Sequence, residues 1–470
     1  MIVLGGRAQT YSNLYAFTAY GGSVPPANSD GAFPYSVPVL LSNVLYGTTW
    51  EGGTNGEGTI FAVKTDGTGF TNLHIFSALS TYPVGTNADG AQPYDSLLLS
   101  SNILYGTAFA GGTNGWGTVF RINTDGSGFT VLRSLNEFSD GAEPRGGLII
   151  SSNTLFGTAT MGGTGDYGTV FRINTDGNNF TNLHNFTALS GDGAEPQGGL
   201  VMSGTNLYGM TLGGGTNNGN GIIFSLSTVK SNFTVLYTFA KFGSKSTNTF
   251  GGSPYAALTL SSNSTLYGVT DLGGTNGNGV VFSVGTDGMN YKLLHTFALG
   301  ASDPSLGYYT NKDGIKPQCQ LTLSGSTLYG TTTAGGLQGI GTVFSVQTDG
   351  TGFTNLYTFT PIVTIVGGNL FSSGGANPGC GVTLNGSTLY GTTTVGGING
   401  NVYGLLLGSA PVFLSEQISG GQLTLTWPGS SYSLQSAGDL RGNFSNVVGS
   451  SSPYVVPATN TQQFYRLKGN

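Results

Sequence analysis

The sequence predicts an all-β fold, a seven-bladed β-propeller followed by a small C-terminal β-sandwich-like module. Three observations carry that prediction. The phrase Leu-Tyr-Gly-Thr, or a close variant, occurs seven times, beginning at Leu45, Leu104, Leu155, Leu207, Leu266, Leu328 and Leu389. The copies lie 59, 51, 52, 59, 62 and 61 residues apart, a period that belongs to repeat architectures. Each repeat holds four short runs rich in β-branched and aromatic residues, bounded by Gly, Asn, Asp or Pro, and no segment sustains a helical period.

The third repeat shows the elements in order. Asp140-Gly141-Ala142-Glu143-Pro144 precedes an apolar run, Gly147-Leu148-Ile149-Ile150, which is strand a. Ser152-Asn153 turns the chain into strand b, Leu155-Phe156-Gly157-Thr158-Ala159. Gly162-Gly163-Thr164-Gly165 breaks it before strand c, Gly168-Thr169-Val170-Phe171-Arg172-Ile173. Thr175-Asp176-Gly177 is a tight turn, and Phe180-Thr181-Asn182-Leu183-His184-Asn185-Phe186 is strand d. Four antiparallel strands in a repeat of this length make one propeller blade.

The ends of the chain complete the count. Strand a appears seven times, after Pro34, Pro93, Pro144, Pro196, Pro254, Pro317 and Pro378, and the seventh strand c is Asn401-Val402-Tyr403-Gly404-Leu405-Leu406. The d pattern, aromatic-x-x-Leu-x-x-Phe, follows only six of the c strands, from Phe70, Phe129 (with Leu135 closing the pattern), Phe180, Phe233, Tyr291 and Phe353. The missing copy stands at the N-terminus as Tyr11-Ser12-Asn13-Leu14-Tyr15-Ala16-Phe17. This segment is therefore expected to complete the last blade and close the ring.

Three segments follow: 1–8, 9–407 as propeller, and 408–470 as the C-terminal module. Gly6-Arg7-Ala8 before Gln9-Thr10 reads as the remnant of a signal peptide cleaved after Ala8. The tail has a different texture, with Gln422-Leu423-Thr424-Leu425-Thr426-Trp427, Ser431-Tyr432-Ser433-Leu434-Gln435, Pro453-Tyr454-Val455-Val456 and Gln463-Phe464-Tyr465-Arg466-Leu467. It reads as four to six short strands, near the lower size limit for an independent core. Docking on the propeller or on another subunit is expected of it.

Composition narrows function by exclusion. Gly accounts for 82 of 470 residues, and the excess sits at repeated turns. Charged residues are 8% and the net charge is −6 with no basic stripe, which argues against nucleic acid and anionic membranes. No segment is long and apolar enough to span a bilayer. A surface of Ser, Thr, Asn and Gly suits a secreted β-protein. Cys319 and Cys380 each lie two residues after the Pro of strand a, where other repeats carry Ser36, Asp95, Gly146, Gly198 and Ala256. Two buried thiols and one inter-blade disulfide are both open readings.

The candidate ligand site is the face shared by the d–a and b–c loops. The d–a loops carry Asp-Gly-x-x-Pro at Asp30, Asp89, Asp140, Asp192 and Asp313, with Gly251 and Gly374 near this position in repeats five and seven. Glu143 and Glu195 add charge. A ring of carboxylates and amide-rich loops suits Ca²⁺ or a sugar; repeated structural turns, with each Asp in an Asx-turn, are the preferred alternative. No cofactor is otherwise indicated. The c–d turn residues Asp66, Asp125, Asp176, Asp287 and Asp349 read as structural. His74, His184 and His295 share one position of strand d with Tyr15, Arg133, Tyr237 and Tyr357. A position that takes His, Arg or Tyr is a half-exposed packing site rather than a catalytic base or metal ligand. No Ser-His-Asp set, Cys-His pair, phosphate loop or zinc spacing remains, and no acid pair stands out as a glycosidase couple.

The run Leu-Tyr-Gly-Thr-x-x-x-Gly-Gly-x-x-Gly-x-Gly-Thr-Val-Phe, followed by Thr-Asp-Gly-x-x-Phe-Thr-x-Leu, resembles the GloVer tandem-repeat proteins of bacteria such as Verrucomicrobia, over residues 9–407. The tail, with Leu-Thr-Trp-Pro-Gly, Tyr-Ser-Leu-Gln-Ser and Phe-Tyr-Arg-Leu-Lys, is similar to C-terminal modules of secreted proteins from the same bacteria. The resemblance implies secretion and a surface role and supplies no catalytic residues. The expectation is a non-catalytic binding or adhesion scaffold at the cell surface, with a glycan or protein partner. A self-assembling matrix or filament subunit is the second reading, and a polysaccharide-active enzyme the third.

Overall fold

The computed structural model describes residues 9–20, 27–80, 85–216, 219–230, 232–303, 308–360, 364–366, 369–397 and 399–408, and in the tail 415–419, 422–426, 432–437, 445–447, 454–457 and 464–469. The expected signal-peptide remnant, 1–8, lies outside the described residues. The chain divides into two compact units, one of them Tyr11–Leu405 and the other holding the C-terminal segment from Leu406.

The first unit is a ring of seven four-stranded antiparallel blades. Blade 1 runs Val39–Leu41, Val44–Thr49, Thr59–Lys64, Thr71–Ile75, and blade 3 runs Ile149–Ser151, Thr154–Ala159, Thr169–Asn174, Thr181–Asn185. Blade 7 is composite: Thr383–Asn385, Thr388–Thr393 and Asn401–Leu406 pair outward to the N-terminal strand Thr10–Ala16. Closure by the first strand is thus as the d pattern predicts. In the tail, Ser415–Ser419, Gln422–Thr426 and Tyr454–Pro457 form one three-stranded sheet, and Ser445–Asn446, Tyr432–Ala437 and Phe464–Gly469 another. No helix among the described residues is long and apolar enough to cross a membrane.

The repeated phrase has a packing reason. Its Gly stands opposite the aromatic residue of strand c, as Gly47 opposite Phe61 and Gly157 opposite Phe171. A Cβ at Gly47, Gly106, Gly209 or Gly330 would come within 2.5–2.6 Å of the facing ring, so only Gly lets the ring lie flat across strand b. Those rings, Phe61, Phe120, Phe171, Phe224, Phe282, Phe344 and Tyr403, are fully buried. So are the residues that end the d pattern, Phe17, Phe76, Leu135, Phe186, Phe239, Phe297 and Phe359. Removing such a side chain from water contributes roughly 1.5–3 kcal/mol each.

The apolar clusters form between blades. Tyr46, Ile60 and Phe76 of blade 1 pack with Leu97, Leu104 and Phe120 of blade 2, and Phe17, Tyr390 and Val402 of blade 7 pack with Leu45, Phe61 and Val63 of blade 1. A blade cannot bury its faces alone, so closure of the ring is part of its stability. The Thr of the phrase adds a polar tie to the next blade. Thr48 Oγ1 donates to Asp95 O at 3.3 Å, Thr158 Oγ1 to Gly198 O at 3.1 Å, Thr331 Oγ1 to Cys380 O at 2.7 Å, and Thr392 Oγ1 to Ser36 O at 3.1 Å across the closure. Met210 and Val269, both buried, take this place in blades 4 and 5.

Candidate functional site

Two sets of groups occupy the loop face, and they are built differently. The five repeated aspartates form the first. Asp30 accepts from Tyr15 Oη at 2.7 Å and Thr18 N at 3.0 Å. Asp89 lies 2.9 Å from His74 Nε2 and accepts from Ser77 N and Oγ. Asp140 takes a bidentate pair from Arg133, Nε at 2.8 Å and Nη2 at 2.9 Å. Asp192 lies 3.1 Å from His184 Nε2 and accepts from Thr187 N at 2.9 Å; Asp313 lies 2.8 Å from His295 Nε2 and accepts from Ala298 N at 3.1 Å. Each carboxylate ties the d–a loop back to the strand d that precedes it. Burial alone would raise the Asp89 and Asp192 carboxyls, but hydrogen bonds from the histidines and from backbone N–H groups hold both below their ordinary value.

The partner side chain on strand d is itself stacked on the next blade. The ring centroids of His74 and Phe129 are 3.7 Å apart, those of His184 and Phe233 3.8 Å, and those of His295 and Phe353 3.6 Å. Arg133 lies 4.8 Å over Phe180. Tyr237 stacks on Tyr291 at 4.1 Å, Tyr357 on Tyr11 at 4.8 Å, and Tyr15 on Phe70 at 3.7 Å. The stacks run through all seven blade junctions. The two that lack an Asp are those where the stacking residue is Tyr237 or Tyr357.

These aspartates are therefore joined to strand d rather than collected around a common point. Nor do they make the expected Asx-turns. That role falls to an Asn further upstream: Asn28 Oδ1 accepts from Gly31 N at 2.9 Å and from Gly53 N of the b–c loop at 2.9 Å, and Asn87, Asn248 and Asn311 repeat the arrangement. Among the described residues no group of three or more His, Cys, Asp or Glu is placed to hold a metal ion. The c–d aspartates do make Asx-turns, as Asp66 does with Thr68 N at 2.9 Å.

Glu143 and Glu195 belong to the loops of the second set, each two residues before a residue that lines the axial cavity, which neither acid lines itself. The residue before each strand-a Pro, namely Phe33, Gln92, Glu143, Glu195, Ser253, Lys316 and Asn377, has φ between 51° and 61°. A left-handed residue before proline is strained, and backbone bonds hold it there. Glu143 N donates to Trp116 O of the preceding blade at 3.1 Å, and Glu143 O accepts from Thr160 N at 3.2 Å; all seven positions share this pattern. The Pro itself packs on the Gly before strand c of the preceding blade. A Cβ on Gly117, at φ +98°, would lie 2.6 Å from Pro144 Cδ.

The residue after each Pro forms a collar: Tyr35, Tyr94, Arg145, Gln197, Tyr255, Gln318 and Gly379. All but Gly379 present side chains to a cavity of about 510 Å³ that residues of all seven blades line, so it lies on the axis of the ring. Tyr35 stacks on Tyr94 at 4.9 Å, and Trp50 meets Tyr94 edge-on at 5.3 Å. Arg145 lies 4.7 Å over Phe109, with Glu143 Oε2 at 3.8 Å. Gln318 Nε2 donates to Asp271 at 3.0 Å. Asp95 lines the cavity and accepts from Ser96 N and Gly147 N, both at 2.6 Å; burial raises its pKa despite those bonds.

Cys319 and Cys380 also line the cavity, as two free buried thiols. The disulfide, one of the two open readings, is not formed. Burial raises both thiol pKa values, that of Cys380 to about 11. Cys380 Sγ is 3.0 Å from Thr392 Oγ1, and Ser36 Oγ accepts from Thr48 N at 2.9 Å at the matching place in blade 1. Where the position carries Ser36 or Cys380, that small side chain is also hydrogen-bonded.

A family model described as the Gloeobacter/Verrucomicrobia repeat matches residues 76–252 and 242–407. No curated protein matches the chain. Among solved structures, the GH74 enzyme of Niastella koreensis is similar at 16% identity and a TM-score of 0.50, covering 90% of this chain and 60% of that one. An oligogalacturonate lyase in complex with manganese is similar at 10% identity and a TM-score of 0.49, over 85% and 98% of the two chains. A nidogen/laminin complex chain is similar at 16% identity and a TM-score of 0.35, over 55% and 77%. At these identities the likeness is one of fold alone.

Proposed function

The chain belongs to the Gloeobacter/Verrucomicrobia repeat family, and we propose that it is a secreted, non-catalytic binding scaffold of the cell surface or extracellular matrix whose ligand enters the axial cavity. The observation that carries this reading is the collar. Seven loops strained in the same way present six side chains, Tyr35, Tyr94, Arg145, Gln197, Tyr255 and Gln318, and the bare backbone of Gly379 to one cavity, and those side chains differ in size, charge and hydrogen-bonding capacity. A frame repeated in every blade with unlike groups mounted on it is how repeat proteins build a binding surface.

A non-catalytic role is supported by how the acids in and beside the cavity are engaged. Both oxygens of Asp95 accept backbone N–H bonds, and Glu143 faces Arg145. A surface with few charges and abundant Ser, Thr and Asn fits an extracellular setting.

The test is an array of glycans and extracellular proteins probed with the purified chain and with Tyr94→Ala and Gln318→Ala variants. Retention on some feature, weakened at least about tenfold (roughly 1.4 kcal/mol) in the variants while both remain folded, is expected. Retention that both variants share with the unaltered chain, or turnover of the bound glycan, overturns the reading.

A further inference from the structure

The axial collar carries hydrogen-bonding groups that the protein itself does not use. No hydrogen bond joins the hydroxyls of Tyr35, Tyr94 or Tyr255, or the amide of Gln197, to a described residue, although all four side chains line the cavity. Arg145 Nε is buried with no partner among the described residues. Of these groups only Arg145 Nε is fully buried, where a polar atom is ordinarily paired; the others open onto the cavity and are free to meet a ligand. By contrast, the tyrosine at the outer latch, Tyr15, is fully engaged with Asp30.

The charges at the collar are met from within the protein. Glu143 stands 3.8 Å from Arg145. Lys316 acts on Asp271, which Gln318 also contacts. Asp95 is closed off by two backbone N–H groups. Each cation on the wall thus has its own carboxylate, and the one carboxylate without a cation, Asp95, already accepts from two backbone N–H groups. What remains unpaired is a set of neutral donors and acceptors, joined by one guanidinium N–H of Arg145, beside apolar ring surface. The stack is continuous here: Tyr35 lies between Gly379, whose Cβ would meet its ring at 2.8 Å, and Tyr94.

We propose that the collar formed by Tyr35, Tyr94, Arg145, Gln197 and Tyr255 is a binding site for a neutral, hydroxyl-rich glycan. A sugar ring supplies many hydroxyls that both donate and accept, and a C–H face that suits aromatic walls. The cavity, about 510 Å³, is of the size that admits a short oligosaccharide. This proposal rests on the reading of the cavity as the ligand site and names the class of ligand.

The hydroxyls make the test sharp, because Tyr→Phe removes only the unpaired group. Titration calorimetry would use neutral hexasaccharides of glucose, mannose, galactose and xylose, with hexagalacturonate and a glucosamine hexamer as charged comparators. At least one neutral probe is expected to bind, with little change on adding salt. Tyr35→Phe, Tyr94→Phe and Tyr255→Phe should each weaken it about fivefold at an unchanged unfolding midpoint. Tyr15→Phe should lower the midpoint and leave affinity alone. Tighter binding of a charged probe, full affinity in the three Phe variants, or no binding of any neutral probe overturns the proposal. If array ligands that depend on Tyr94 and Gln318 turn out to be proteins or charged glycans, the cavity reading stands and this proposal falls. If no array ligand depends on the cavity, both fall.

Discussion

The outer latch and the axial collar are made by the same seven-fold repetition, yet they differ in what the repetition preserves. At the latch, Asp30, Asp89, Asp140, Asp192 and Asp313 do one job with one geometry, and their partners on strand d are interchangeable in chemistry only so far as each can stack and donate. At the collar the backbone is repeated and the side chains are not. Tyrosine, arginine, glutamine and glycine alternate over loops whose φ values agree within 10°. Uniform side chains with saturated hydrogen bonds indicate a structural part. Unlike side chains with unsatisfied groups, on an equally rigid frame, indicate a recognition part.

That contrast can be broken in order of expected effect. The largest effect belongs to the frame itself. Gly106→Val would drive a branched side chain into the Phe120 ring, 2.6 Å from where a Cβ would stand; overpacking plus lost ring packing should cost at least about 3 kcal/mol, read as a large fall in the denaturation midpoint or loss of folded protein. A variant as stable as the parent would refute the packing account of the repeated phrase.

Asp140→Ala comes next. It removes the bidentate partner of Arg133 while the guanidinium keeps its place over Phe180. With Arg133 partly exposed, the expected loss is about 1–3 kcal/mol, with ligand affinity unchanged. Loss of a ligand or metal response at constant stability would instead return these aspartates to the binding site.

The pH dependence is smaller. Asp89 and Asp192 have lowered pKa values in the folded protein. Their contribution is therefore complete above the unfolded carboxylate value of about 4 and is lost as pH falls through the lower folded values. Thermal unfolding followed from neutral pH to below 3 should show a decline that Asp89→Asn and Asp192→Asn together flatten.

The smallest effect is expected of Cys380→Ser, within about 1 kcal/mol. Ser36 already fills the matching site, and Thr392 is positioned to bond either group. A large destabilisation would give the thiol a role that its packing does not explain.

The blade count, the strand order and the closing N-terminal strand were legible in the chain because they are local. Turn residues, two-residue alternation and the spacing of Leu-Tyr-Gly-Thr report short-range geometry that each blade must satisfy by itself. The latch was half legible. Its Asp and its His were both visible, but the Asp read as a turn residue and the His as a packing residue. The signal joining them was that an Asp follows every strand d bearing His or Arg, and is missing after Tyr237 and Tyr357. The collar was the hardest to see. The residue after each Pro varies from copy to copy, and in a linear reading such variation looks like tolerance. Asp95 enters the linear reading only as one of the varied residues that stand two after the Pro.

The sequence by itself thus determined the fold and its closure, since these follow from patterns of burial and turning repeated along the chain. Only the tertiary structure decided which polar groups are spent and which are free. His74 and Asp89 are 15 residues apart and Tyr35 and Tyr94 are 59 apart, and whether such groups meet each other or an open axis depends on how the ring curves. Satisfaction of a hydrogen bond is a property of position in space, and no local pattern encodes it.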